Sequence, residues 1–381
     1  MKKRILAILI LLLITLTTVC TVLQLRGSQL NEEYVSELID RTRQRYGIPA
    51  ISVSIMDSQK ICYTVSGGVK TYGESSPIGD GDYFHIGSCS KSVLAYMAAK
   101  LIEEGLLRWD TRFFAVYPEL EDGALPDYSG ITLEDFLSCR AGFPSYTSGL
   151  ESYPDLSSSQ DKQLDFIRYL FSLPPASERV DSGKYEFLYS NASFTPAAAI
   201  LEKVSGLSWE ELLEKYIVRD LGIPVFIGWP YEKSPDQPLG YLPGSSGSAP
   251  AVVGSDSGYT LNPLIWPSGN LSMTADGFAK FAQLHLNGLT GSGDGRDSEA
   301  IRYIDTKYSG FSLGAWNGTD SGKYYVCLDG TAGTYYARGL LIPDSDFGFT
   351  VLMNCGSEDA AEYMTNEIMK AYYNWWWMFR I

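Results

Sequence analysis

Histidine is nearly absent from this chain. His85 and His285 are the two among 381 residues. A metal centre built on several imidazoles is therefore excluded, and a Ser-His-Asp triad has little to be built from. Cysteine is sparse and dispersed: Cys20, Cys62, Cys89, Cys139, Cys327 and Cys355 include no C-x-x-C pair, which argues against a zinc site. A domain of this size needs no disulfide framework, so isolated buried thiols are expected, with one disulfide left open. Positive charge is in deficit, with 30 Lys and Arg against 45 Asp and Glu and a net charge of −15. That balance argues against a nucleic-acid partner, which would need a basic face. What remains is 45% hydrophobic and 20% charged, the composition of a folded globular protein, and tyrosine is abundant at 26 residues.

Long apolar runs are also missing, with one exception. Lys2, Lys3 and Arg4 precede an uncharged run from Ile5 to Leu23. At 1.5 Å per residue that run spans about 28 Å, close to the hydrocarbon thickness of a bilayer. The reading is a cytoplasmic stub at 1–4, a transmembrane signal-anchor at 5–23 and a linker at 24–34. The body, 35–373, would then lie outside the cytoplasm on a single-pass anchor at the cell membrane. A cleaved signal peptide, giving a secreted body, is the competing reading. The run is longer than a usual signal core, and no A-x-A-like site follows it. The tail, 374–381, carries Trp375, Trp376, Trp377 and Phe379 beside Arg380; these rings either pack on the body or meet the membrane interface.

Alternating and β-rich segments predict a hairpin from 50–56 and 61–66, and strands at 323–328, 335–342 and 347–353. Between them the pattern is helical: an amphipathic helix at 90–107, then helices at 132–138, 162–172, 194–204, 208–217 and 273–286, with a last one at 357–373. The segment 229–262 is rich in Pro, Gly and Ser and reads as a long surface excursion, a lid or an insertion. The order predicts an α+β fold: an antiparallel sheet built from both chain ends, flanked by helices, with an inserted, mainly helical subdomain.

Three short motifs carry candidate chemistry. Ser88-Cys89-Ser90-Lys91 places a hydroxyl and an amine at i and i+3, on one face of a starting helix. A serine needs a nearby base to become a nucleophile, and a lysine supplies one when burial lowers its pKa. Tyr189-Ser190-Asn191 offers a phenol for proton transfer and an amide for a substrate amide. Leu328-Asp329-Gly330-Thr331 ends a strand, where a glycine admits a close neighbour and the Thr331 N–H is a candidate oxyanion donor. The first two patterns recur at Ser159–Lys162 and Tyr372–Asn374, where no function is assigned.

At this point FHIGSCSK, KLIEEGLLRWDTRF, ITLEDFLSCRAGFPSY, FLYSNASFTPAAAILEKVSGLSW and PSGNLSMTADGFAKFAQLHLNG, in that order, resemble segments of the serine beta-lactamase-like superfamily. The nearest branch is that of class C beta-lactamases and D-alanyl-D-alanine peptidase-esterases, and the resemblance covers roughly 35–372. It implies Ser88 as acylated nucleophile, with Lys91 and Tyr189 sharing the general-base role. Asn191 would contact the substrate amide, and the N–H groups of Ser88 and Thr331 would form the oxyanion hole. No metal and no organic cofactor are implied.

Two positions depart from the family pattern. Leu328 stands where a Lys or His usually opens the third motif, which removes a charge-assisted partner worth roughly 1.5–3 kcal/mol. Cys139 stands where the family has a histidine before the helical subdomain. Arg338 is the nearest substitute cation in sequence and reads as a solvated strand end. The expectation is a serine hydrolase acting through an acyl-enzyme on an ester or amide, of a small-molecule, peptide or cell-wall type. Leu328 and Asp329 point to substrates without a penicillin-type carboxylate. The alternatives are a non-catalytic binding or sensor protein that kept the pocket, and a genuine beta-lactamase.

Overall fold

The first described helix, α1 (Glu32–Tyr46), was not expected from the sequence. The Asn31 side chain accepts from the Tyr34 N–H at 2.8 Å to start it, and Gly47 ends it at φ 68°. The computed structural model describes residues 30–148, 151–181, 184–244, 251–253, 261–292 and 295–373. The expected anchor at 5–23 and the aromatic tail at 374–381 lie outside the described residues. Among the described residues no helix is long and apolar enough to cross a membrane.

Strands β1 (Ala50–Met56) and β2 (Ile61–Gly68) form the expected hairpin. A short strand, β3 (Tyr83–His85), leads through a tight turn at Gly87–Cys89 into α2 (Ser90–Glu103). The middle is helical, with α3 (Leu133–Leu137), α4 (Lys162–Ser172), α5 (Phe194–Ser205) and α6 (Trp209–Leu213). Strands β4 (Val225–Ile227) and β5 (Leu271–Thr274) join β3 in a small sheet of order β3-β5-β4. After α7 (Ala275–Thr290) and α8 (Gly295–Thr306) come β6 (Gly310–Phe311), β7 (Trp316–Asp320), β8 (Lys323–Thr331), β9 (Tyr336–Ile342) and β10 (Phe347–Met353). Helix α9 (Glu358–Tyr373) closes the described chain.

The main sheet has the order β6-β7-β8-β9-β10-β1-β2 and every pairing is antiparallel. Its strands come from both chain ends, so the α+β fold with an inserted helical middle is the observed architecture. Helices cover both faces. On one, Phe349, Val351 and Met353 of β10 pack with Ile51, Val53 and Ile55 of β1 against α1 and α9. On the other, Leu352, Val326 and Leu328 join the larger core with α2, α5 and α7. This double coverage explains why β1 and β10 are buried along their whole length.

Several expectations change. Helix α2 is not amphipathic: Ser90–Ala99 and Leu101 are all buried, because the helix runs through the core between sheet and helical middle. It ends at Glu103, not 107. Residues 271–274, read in part as helix, pair with β3 and β4 before α7 begins. The helix expected over 208–217 is α-helical through Leu213 and widens to a π-helical turn over Glu214–Arg219. The segment 229–262 is not a surface excursion throughout, since Trp229, Tyr231 and Tyr241 are buried in the cores. Cys89, Cys139 and Cys355 are buried free thiols as expected, but Cys62 is exposed, and no disulfide forms among the described residues.

One junction fixes the relation between the main sheet and α2. A Cβ on Gly330 of β8 would lie 2.2 Å from the Ile86 carbonyl oxygen and 2.7 Å from the amide nitrogens of Ser88 and Cys89. A Cβ on Gly87 would meet the Thr331 backbone at 2.6–2.8 Å, and Gly87 holds φ 49°. Backbone here packs on backbone, and neither side can yield by turning a side chain. Gly330→Ala is therefore expected to cost about 1–3 kcal/mol of stability, the usual range for overpacking. Urea unfolding checks this, and a loss below about 0.5 kcal/mol, ordinary for an uninvolved surface position, would show that the junction is loose.

Candidate active site

The turn that carries Ser88 is held from both sides. Ile86 N–H donates to the Leu271 carbonyl at 2.8 Å, and Ser90 Oγ donates to the Gly87 carbonyl at 2.7 Å. His85 backs the turn: its Nδ1 accepts from Gly87 N–H at 3.2 Å, so its proton sits on Nε2, toward Asn270 Oδ1 at 3.4 Å. Burial lowers the His85 pKa to about 4, which keeps the ring neutral, and it stacks on Trp229. The other histidine, His285, is buried against Asp305 at 2.8 Å. Neither histidine lines the pocket described below.

Lys91 lies one helical turn after Ser88 and is completely buried. Its Nζ is 3.1 Å from Ser88 Oγ, 2.7 Å from Asn191 Oδ1 and 2.8 Å from the Ser268 carbonyl oxygen. All three partners are neutral oxygens, and among the described residues no carboxylate pairs with it. Burial without a counter-charge disfavours the ammonium and brings its pKa down to about 7. In the neutral amine, the two N–H groups satisfy Asn191 and Ser268, and the lone pair faces Ser88 Oγ. The arrangement suits removal of the serine proton.

Tyr189 and Asn191 are set by the loop after α3. Leu188 N–H donates to the Cys139 carbonyl at 3.1 Å, Asn191 N–H to the Ser145 carbonyl at 2.7 Å, and Ser190 Oγ to the Pro144 carbonyl at 2.6 Å. Cys139, in a left-handed conformation at φ 56°, accepts from Ser190 N–H at its sulfur, 3.5 Å away. The Asn191 amide donates to the Tyr146 carbonyl at 2.8 Å. With Oδ1 committed to Lys91, this leaves one Nδ2–H for a ligand. The Tyr189 ring lies 4.8 Å from Lys91 Nζ, and Tyr189 shares the pocket wall with Ser88. Burial pushes the phenol well above its ordinary value, so it stays a neutral hydroxyl able to donate. Of the two groups, Lys91 is the one that can be neutral and accept a proton near pH 7.

Ser88, Tyr189, Asn191, Asp329, Gly330 and Thr331 line one pocket of about 260 Å³, together with Thr147 and Trp316. Leu328 does not line it. The strand alternation turns Leu328 into the core, fully buried, near Ala282 and opposite Gly339. The Gly330 contact brings Thr331 against the Ser88 turn, which puts the two expected oxyanion donors side by side.

Arg338 is not a solvated strand end. It faces Asp329 across β8 and β9, with Nε 2.8 Å from Oδ1 and Nη2 3.2 Å from Oδ2. The Tyr336 hydroxyl joins the pair, donating to Asp329 Oδ2 at 2.9 Å. This cation is spent on Asp329, and among the described residues that line the pocket there is no Lys, Arg or His.

Sequence reasoning missed Ser268, Thr147 and Trp316, which reach the site by long-range packing that no local pattern marks. The decoy motifs are separate from it: Ser159 bonds Asp165 beside α4, and Tyr372 stacks on Phe347. Among the described residues no cluster of three or more His, Cys, Asp or Glu could hold a metal ion.

Comparison with known proteins bears on the family and the fold. The family described as Beta-lactamase matches residues 35–372. A solved class C beta-lactamase superposes with a TM-score of 0.70 at 17% identity, covering 88% of this chain and 94% of its own. A D-alanine carboxypeptidase from Burkholderia cenocepacia gives 0.67 at 18% identity, covering 88% and 99%. These likenesses establish the fold. An Unguisins hydrolase from Aspergillus violaceofuscus is 25% identical over 184 residues, 46% of this chain and 31% of the relative. The match thus spans about a third of that relative's length. With a family match over most of its length, the chain belongs to the beta-lactamase family.

Proposed function

We propose that this protein is a serine hydrolase that cleaves an ester or amide through an acyl-enzyme on Ser88. The observation that carries the reading is Lys91, buried, unpaired by any carboxylate among the described residues, and 3.1 Å from Ser88 Oγ. In this reading neutral Lys91 takes the Ser88 proton as Oγ attacks the substrate carbonyl. The N–H groups of Ser88 and Thr331 bind the developing oxyanion. Lys91 and Tyr189 then deliver the proton to the departing group, and water releases the acyl chain. Asn191 both fixes Lys91 and offers its remaining N–H to the substrate.

The pocket's charge supports a neutral substrate over one with a penicillin-type carboxylate. Asp329 lines the wall and holds Arg338 away from ligands. A genuine beta-lactamase would have to bind its substrate carboxylate without a free cation from the described lining. A purely binding role would have no use for an amine held near neutrality against a serine hydroxyl. The hydrolase relative supports the same direction. The run from Ile5 to Leu23 supports a membrane-anchored, extracytoplasmic body. Fractionation of expressing cells should find the full chain with membranes and a chain lacking residues 1–26 in the soluble fraction; equal distribution would refute the anchor.

A fluorophosphonate probe is expected to label Ser88, with the adduct located by mass spectrometry and lost in Ser88→Ala. Because Lys91 must be neutral to act, the labelling rate should rise with pH through about 7 and then level. Lys91→Arg, whose guanidinium stays charged, should slow labelling at least about 100-fold. A rate that keeps climbing beyond pH 9, or labelling that survives Ser88→Ala, would remove the basis of the mechanism.

A further inference from the structure

Two large aromatics stand exposed beside the pocket rather than in a core. Trp316 is 37% exposed and Phe187 is 38% exposed. They form one surface with the site. Trp316 lies parallel to Tyr189, with centroids 6.0 Å apart and planes 11° apart, and Phe187 lies 5.9 Å from Trp316. Phe311, buried, underlies both at 5.0–5.4 Å. The surface is braced as well: the Arg140 guanidinium sits 5.5 Å from the Phe187 ring, 4.0 Å over Tyr308, and donates to the Phe311 carbonyl at 3.1 Å. Exposed rings held in place, contiguous with a catalytic pocket, make a preorganised apolar surface.

We propose that Trp316 and Phe187 form the leaving-group subsite, and that it takes a neutral aromatic group. The inference rests on the acyl-enzyme reading above. Its direction follows from proton delivery. The departing oxygen or nitrogen must receive its proton from Lys91 and Tyr189, so it departs against the Tyr189 hydroxyl. From there Trp316 and then Phe187 continue the same aromatic wall. Asp329 lines the pocket with Trp316 and the described lining carries no cation, while Arg140 behind Phe187 is committed to the Ser138 and Phe311 carbonyls and to the Tyr308 ring, so a negatively charged ring is disfavoured. For an arylmethyl ester, the Ser88 Oγ–acyl carbon bond forms and the acyl carbon–oxygen bond breaks. The serine proton leaves as the hydroxyl proton of the arylmethanol, and water then frees the acid.

The test uses three acetate esters of similar intrinsic reactivity: ethyl, 2-naphthylmethyl, and 2-naphthylmethyl bearing a ring carboxylate. The native protein should favour the neutral naphthylmethyl ester over ethyl in kcat/KM by about tenfold or more, the scale of one well-packed apolar group. Trp316→Ala should erase most of that ratio, Phe187→Ala should reduce it several-fold, and Trp316→Phe should retain most of it. The carboxylated ester should be the poorer naphthyl substrate. A turnover-free arm uses the Ser88→Ala chain and calorimetric binding of 2-naphthalenemethanol, which Trp316→Ala should weaken by a similar factor. Equal losses on ethyl and naphthylmethyl esters would mean that Trp316 acts only by positioning Tyr189, and would overturn the subsite. Ser88 labelling by a fluorophosphonate with no naphthyl preference and no alcohol binding would overturn the subsite alone. No labelling and no turnover would overturn the hydrolase reading, while the binding arm still decides whether the ledge takes an aromatic ring.

Discussion

Lys91 is sealed from water with three neutral oxygens for partners and no described carboxylate to balance it. Burying a charge in this way is unfavourable, and the group relieves the cost by giving up its proton near neutral pH. Everything proposed for the site depends on that constraint. A carboxylate placed beside Lys91 would keep it charged and leave Ser88 an ordinary alcohol. The two acceptors other than Ser88 matter equally, because they occupy both N–H groups of the neutral amine and so aim its lone pair.

The fold exists around this arrangement in a specific sense. Lys91 is buried because α2 passes through the middle of the molecule, between the sheet and the helical insertion. The insertion supplies Asn191 and the segment before β5 supplies Ser268, so residues 100 and 177 positions from Lys91 converge on one amine. The sheet supplies the wall opposite. Its contact with the Ser88 turn is made by Gly87 and Gly330, each of which would collide with backbone if it carried a Cβ. The acidic group lining the pocket, Asp329, is held in place by its ion pair with Arg338 and by the Tyr336 hydroxyl.

Local chemistry was readable from sequence, and distant pairing was not. Ser88 and Lys91 are one helical turn apart, so their approach follows from spacing alone. The hairpin of β1 and β2 and the strands at the chain's end follow from alternation. The sheet built from both ends followed from the order of elements. The third motif was legible only in part: Asp329, Gly330 and Thr331 line the pocket as expected, but the pairing of β8 with β9 was needed to show that Asp329 opposes Arg338 and that Leu328 faces the core. Helix α2 looked amphipathic because its apolar positions recur at helical spacing, yet Ser90, Ser92 and several alanines complete a surface that is buried all round. Trp229, Tyr231 and Tyr241 were hidden within a Pro- and Gly-rich stretch. Trp316 had no signal at all, since nothing before β7 distinguishes a ring that will lie beside Tyr189.

The scarcity of histidine, which first limited the chemistry open to this chain, is consistent with a site in which an amine, a phenol and a serine hydroxyl suffice. The claim beneath that statement is the protonation state of one side chain. Direct titration of the Lys91 ε-methylene by NMR, assigned by its loss in Lys91→Arg, tests it without any substrate. A midpoint near 7 is expected. A midpoint near the ordinary lysine value of about 10.4 would contradict it.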